Sequence, residues 1–202
     1  MKIYFSPASP FVRKCLVAAH ELGVAERIEL LPSAAHPVQR DAIIIRSNPL
    51  GQVPTFFCDD GTVLYDSRVI CEYLDSVFGP RLIPSDGPAR WLRLTEQALA
   101  DGMLGGALLA RYETAVRPQM LRWNDWAAGQ LGKVDSGLTW LQQHAEGFGD
   151  RVDIGMISMG CALGYLDFRF PDFDWRAKAP HAAAWFAHFN KRASMQATLP
   201  HV

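Results

Sequence analysis

Strand-forming segments end at residue 65 of this 202-residue chain, and beyond the Pro- and Gly-rich stretch Pro80–Pro88 (PRLIPSDGP) only helical periodicity remains. A chain that spends its strands this early closes its sheet there, so the pattern predicts a small α/β domain followed by an all-α domain. Lys2 to Phe5 reads as a strand. Pro10 to Leu22 carries Phe11, Val12, Cys15, Leu16, Ala19 and Leu22 at helical spacing, and Gly23 closes that helix. Ile28 to Leu31 is a second strand, and Asp41 to Arg46 a short helix before the turn Asn48-Pro49-Leu50-Gly51. Pro54 to Cys58 is a third strand, joined through Asp59-Asp60-Gly61 to a fourth at Thr62 to Tyr65. Asp66 to Phe78 is a helix with Val69, Ile70, Tyr73, Leu74 and Val77 on its apolar face. The order is βαβαββα. The expected division is a first domain over residues 1–79, a linker over 80–87 and a helical domain over 88–202. Within the latter, 89–114, 118–145 and 180–192 read as helices, and 149–169 contains a buried helix broken at Phe170-Pro171-Asp172.

Composition excludes several classes of function. Hydrophobic residues make up 49% and charged residues 20% of the chain, ordinary for a soluble globular protein. A net charge of −1 leaves no electrostatic footprint for nucleic acid or an anionic membrane surface. The longest nearly uncharged run, Ile154 to Leu166, is too short to span a bilayer and reads as a buried core helix. Met1-Lys2 leads directly into a strand with no apolar leader segment, so a cytoplasmic location is expected. Cys15, Cys58, Cys71 and Cys161 form no CxxC pair and are expected to be buried and reduced. The six histidines match no HExxH spacing, and His181 and His188 can share a helix face without making a metal site. No metal is expected.

The segment Ser6 to Lys14 (SPASPFVRK) carries the first chemical signal. Ser9 stands at the helix N-cap and Pro10 at the first helical position, where its missing N–H costs nothing. A strand, a tight turn and a helix N-terminus bearing a hydroxyl make a site for an anion.

Three motifs together carry a resemblance: SPASPFVRK, NPLGQVPTF at Asn48 to Phe56, and YDSRVICEYL at Tyr65 to Leu74. The βαβαββα unit resembles a thioredoxin-like domain. With the helical domain behind it, including CALGYLDFRFPD at Cys161 to Asp172, the whole chain resembles a bacterial glutathione S-transferase with serine at the active-site position. The resemblance implies glutathione as cosubstrate, a small hydrophobic electrophile as second substrate, and a homodimer.

Glutathione presents a thiol, an amino-acid head and a glycine carboxylate, and the motifs offer a partner for each. Lowering a thiol pKa from about 8.5 by two units requires roughly 2.7 kcal/mol. One charged hydrogen bond supplies roughly 1.5–3 kcal/mol and a helix terminus about 0.3–1 kcal/mol. Ser9 is therefore sufficient as a donor, with Ser6 as the rival hydroxyl and Tyr4, inside the strand, as a weaker third. The resemblance makes Val53-Pro54 a cis bond whose Val53 backbone pairs with the cysteinyl part of glutathione. It also adds Phe11 and Gln52 to the binding set. Asp66-Ser67 opens a helix, with amides and a hydroxyl for the γ-glutamyl carboxylate and an acid for the ammonium. His36 and Arg40 are both candidates for the glycine carboxylate. Asp101 is implied to reach the ammonium of glutathione on a neighbouring subunit, though a solvent-facing acid is equally compatible with its position. Met103, Tyr112 and Trp123 are either core or the wall of an electrophile pocket.

The chain departs from the family pattern at the start of the buried helix, where Asp153 can cap but Met156 cannot return the second bond of a capping box. Competing activities are a glutathione-dependent peroxidase or reductase and a non-enzymatic glutathione-binding protein. Serine at position 9 disfavours mixed-disulfide chemistry, and the retained Val53-Pro54 and Asp66-Ser67 disfavour loss of glutathione binding.

Overall fold

The computed structural model describes residues 1–201. Two compact units are present: Met1–Arg90 with the segment from Ala193 onward, and Trp91–Arg192. The first unit follows the expected order: β1 (Lys2–Phe5), α1 (Pro10–Glu21), β2 (Glu29–Pro32), α2 (Ala42–Ile45), β3 (Phe56–Phe57), β4 (Val63–Leu64) and α3 (Ser67–Phe78). The sheet order is β2-β1-β3-β4, with β1 and β2 parallel and the other pairs antiparallel. Ile3 and Phe56 face each other across β1 and β3 and are fully buried. Val12, Cys15 and Ala19 of α1 and Ile70, Cys71 and Leu74 of α3 complete the core.

Several boundaries differ from the sequence reading. The second strand starts one residue late because a 3-10 turn over Ala25–Arg27 takes up Ile28 as its cap. The third and fourth strands keep only two residues each. Pro54 has no N–H to give a ladder, and Gly61, at φ +87°, turns the chain directly after Cys58. Val69 and Val77 are about half exposed, and Cys71 takes the buried position assigned to them. Asp75, on the same helix, is 3% exposed and accepts the backbone N–H groups of Arg81, Leu82 and Ile83 at 2.9, 2.8 and 3.1 Å. That carboxylate folds the residues after α3 back onto its last turn.

The second unit comprises most of α4 (Gly87–Ala115) with α5 (Asn124–His144), α6 (Ile154–Arg169), α7 (Trp175–Lys178) and α8 (Pro180–Phe189). The helix expected from 118 begins at Asn124, because Pro118 leads into a 3-10 turn over Gln119–Leu121. The final expected helix ends at Phe189, and α9 (Ala193–Ala197) follows separately and packs on α1. The short α7 had no readable periodicity. Close approach of α4 and α5 depends on two glycines. A Cβ on Gly106 would stand 2.7 Å from the Gln130 carbonyl oxygen, and one on Gly137 2.4 Å from the Met103 thioether.

α6 is buried from Ile154 to Leu166 and is started by Asp153, whose Oδ1 accepts from Met156 N at 3.0 Å. Two arginines and a second acid surround Asp153 at this helix start. Arg93 Nε meets Asp153 at 2.9 Å and Arg93 Nη1 meets Glu96 at 3.0 Å, while Arg151 Nη2 meets Glu96 at 3.1 Å. No helix among the described residues is long and apolar enough to cross a membrane.

Candidate functional site

Strand directions bring the three motifs to one edge of the sheet. β1 ends at Phe5 and leads to Ser6 and Ser9. β3 runs antiparallel to β1, so its start, after Pro54, lies at that same edge, where Tyr4 N donates to Thr55 O at 2.9 Å. β4 runs antiparallel to β3 and delivers Asp66-Ser67 there as well.

Ser9 caps α1. Its N–H donates to Ser6 O at 3.0 Å to close the turn, and its Oγ accepts from Val12 N at 3.3 Å. An acceptor role leaves the Ser9 hydroxyl proton available to donate outward. Ser6 and Ser9 share a cleft of about 260 Å³ within the first unit, together with Arg13, His20 and Thr198. Val53, Pro54, Asp66 and Ser67 do not line that cleft. Tyr4 stays in the strand with its ring edge-on to Phe57 at 5.5 Å between centroids. Phe11 is partly exposed, with the Lys14 ammonium 5.9 Å from its ring centre.

The Val53-Pro54 bond is cis. The loop around it is held by two buried polar residues that sequence reasoning did not single out. Asn48, 1% exposed, donates to Gln52 O at 3.2 Å and to Thr55 Oγ1 at 2.9 Å, and accepts from Leu50 N at 3.0 Å. Thr55 Oγ1 donates to Gln52 O at 2.8 Å. The clue was available in NPLGQVPT: a polar residue on either side of a Pro-Gly turn closes it from within. The Gln52 backbone is thus fixed while the residue remains exposed.

Asp66 caps α3 through Arg68 N at 3.0 Å and pairs with the Arg68 guanidinium at 3.1 Å. Burial pushes its carboxyl up, but the hydrogen bonds and charge of Arg68, with the Lys14 charge, outweigh this and hold it below the usual value. It is ionised at neutral pH. Ser67 is 2% exposed, and no hydrogen bond is made by its hydroxyl among the described residues. Lys14, quoted in the first motif but given no role, is fully buried near Asp66. His36 and Arg40 are separated by their surroundings. The His36 Nδ1 accepts from Val38 N and Gln39 N at 3.2 and 3.0 Å, which fixes the ring through that nitrogen. Arg40 donates to Pro49 O at 2.5 Å and lies beside Gly51, next to Gln52.

In the second unit, Asp101 sits midway along α4 and is partly exposed. Met103 is core at 2% exposure, Trp123 is 62% exposed at the start of α5, and Tyr112 is partly exposed. All four cysteines are buried and free of disulfides. His181 and His188 each approach a single acid, Glu146 at 3.6 Å and Asp150 at 3.4 Å. Among the described residues no group of three or more His, Cys, Asp or Glu converges as a metal site.

Comparison with known proteins agrees with this geometry. Residues 8–77 match the glutathione S-transferase N-terminal domain model and residues 124–188 the C-terminal domain model. The GST-like protein YibF of Escherichia coli K12 is 33% identical over 99% of this chain and 98% of its own length. A glutathione transferase family member from Pseudomonas fluorescens Pf-5, solved with bound glutathione, superposes with a TM-score of 0.96 at 46% identity over 100% of this chain and 99% of its own. A structure of a family member from the same organism, with bound S-(propanoic acid)-glutathione, gives 0.92 at 45% identity over the full length of both chains. With both domain models matched and a relative alike along nearly the whole chain, the protein belongs to the glutathione S-transferase family.

Proposed function

We propose that this protein is a glutathione transferase that holds glutathione as its thiolate and transfers it to small electrophiles. The observation that carries the proposal is Ser9: a hydroxyl at the N-terminus of α1 whose oxygen already accepts from Val12 N, leaving its proton to donate to sulfur. The thiolate sulfur attacks an electrophilic carbon, and Ser9 stabilises the anion without becoming a nucleophile. The Val53 backbone pairs with the cysteinyl segment, and Phe11 and Gln52 flank it. The α3 N-terminus with the Ser67 hydroxyl takes the γ-glutamyl carboxylate, and Asp66 takes the ammonium. Arg40, a permanent cation beside Gly51 and next to Gln52, takes the glycine carboxylate. The glutathione held by the Pseudomonas relative supports this ligand. The S-(propanoic acid)-glutathione held by the second supports a thioether product with an acid on the electrophile side. A homodimer, with Asp101 of one subunit meeting the glutathione ammonium of the other, is the accompanying proposal.

The test is calorimetric titration with glutathione followed by absorbance of the bound thiolate against pH. Wild type is expected to ionise glutathione about two units below the free thiol. Ser9→Ala keeps most of the affinity and moves the titration up by about one to two units, the scale of one charged hydrogen bond. A shift produced by Ser6→Ala and not by Ser9→Ala transfers the role to Ser6.

A further inference from the structure

We propose that the cleft of about 260 Å³ beside α1 binds a small aliphatic carboxylate, with Arg13 as its counter-ion. Among the described residues, all that line this cleft belong to the first unit. One stripe of α1, formed by Ser9, Arg13, Leu16 and His20 at helical spacing, makes one wall. Ile28 and Leu30 make a second, and the tail that follows α9 makes a third. Val53, Pro54, Asp66 and Ser67 take no part. The cleft is therefore distinct from the groups assigned to the backbone and head of glutathione.

Arg13 is a permanent cation at 5% exposure. Its Nε donates to Thr198 Oγ1 at 3.5 Å and its Nη2 to the Met195 carbonyl at 3.1 Å. Both acceptors are neutral. Among the described residues its Nη1 has no hydrogen-bond partner, and no carboxylate stands within ion-pair distance of the guanidinium. Burying a charge is costly, and proteins ordinarily place an acid beside it. The nearby acids do not serve. Glu21, on the same helix, accepts from Ser194 Oγ. Glu26 lines the cleft but is exposed and makes no ion pair with Arg13. Thr198 Oγ1 in turn donates to Ser194 O at 2.9 Å, so Arg13 meets the cleft wall through a hydroxyl that is itself held in place. An anion in the cleft completes the guanidinium. One permanent cation balances one negative charge, which suits a monocarboxylate rather than a phosphate dianion. Leu16, Ile28, Leu30 and Leu199 supply an aliphatic lining. The volume lies below the roughly 300–1,000 Å³ of sites for drug-sized ligands, so the body behind the carboxylate is a short chain.

The probes are hexanoate, its neutral counterpart hexanamide, and acetate, which keeps the charge and lacks the chain. Calorimetry on the full chain is expected to show saturable binding of hexanoate, about tenfold or more tighter than either control. Arg13→Gln should weaken hexanoate by about tenfold or more and leave hexanamide unchanged, and Arg13→Lys should restore part of the loss. Arg13 also ties down the C-terminal segment, so a second variant tests the cleft without touching that tie. Leu30 is 47% exposed, and Leu30→Glu places an acid in the cleft at little risk to the fold. It should weaken hexanoate by about tenfold as well, and it decides the matter alone should Arg13→Gln lose cooperative unfolding in urea. Saturating glutathione should leave hexanoate affinity unchanged. Absence of saturable binding, hexanoate binding no tighter than either control, or binding indifferent to Leu30→Glu or to a folded Arg13→Gln overturns the site. Displacement of hexanoate by glutathione also overturns it, because the cleft would then belong to the glutathione site. A chain that takes hexanoate in this way but does not bind glutathione refutes the transferase reading and keeps the cleft.

Discussion

Glu96→Gln sets burial against ion pairing in the network that starts α6. The Glu96 carboxylate accepts from Arg93 at 3.0 Å and Arg151 at 3.1 Å, yet the residue is only 4% exposed. Burial pushes its pKa from the ordinary 4.5 up to about 7; Arg93 opposes the rise, Asp153 adds to it and His144 opposes it. A shift of that size corresponds to roughly 3.4 kcal/mol at 1.36 kcal/mol per unit. The Arg93 and Arg151 side chains keep 16% and 27% of their surface in water, so screening reduces the effect to about 1–2 kcal/mol. Between these pKa values the native state holds a proton that the unfolded chain releases. The stabilising contribution is thus complete below about pH 4.5 and is lost as the pH rises through about 7. Glutamine does not titrate. The variant is expected to match wild type near pH 5 and to exceed it by about 1–2 kcal/mol at pH 8, measured by urea denaturation across that range. A variant less stable than wild type by about 1 kcal/mol or more at pH 8 would refute the reasoning, because the two arginine pairs would then outweigh burial.

Ser67→Ala should weaken glutathione binding by about 1–2 kcal/mol, the scale of a lost bond to a charged group, and unchanged affinity in calorimetry removes Ser67 from the head-group site. Asp75→Ala should destabilise the protein by about 3 kcal/mol or more in chemical denaturation, because two buried backbone N–H groups and one part-buried one lose a charged acceptor together; a loss below about 1 kcal/mol would show that water replaces it. Gly106→Ala should cost about 1–3 kcal/mol in the same assay, since the new Cβ meets a backbone carbonyl oxygen at 2.7 Å that cannot move without shifting α5.

The order βαβαββα and the strand-free second half were legible because each rests on a local signal. Alternating strand formers, the Ser9-Pro10 start and the Gly23 stop act within a few residues. Ser9 as a cap and Asp66-Ser67 as a helix opening were readable for the same reason. Elements whose extent depends on neighbours were not. The β3–β4 hairpin shrank to two residues per strand, and Cys71 displaced Val69 and Val77, because packing against β-sheet and α1 decides which face of α3 is covered. The sequence by itself determined the two-part architecture, the family and the residue types available for a glutathione site. Packing in three dimensions decided that the His36 Nδ1 is engaged by its own loop while Arg40 sits beside Gly51, that Asn48 and Thr55 hold the Gln52 backbone, and that Glu113 pairs with Arg117 and Asp167 with Arg176. These are choices among partners distant in sequence, made by burial and hydrogen-bond satisfaction, for which the linear pattern carries no signal.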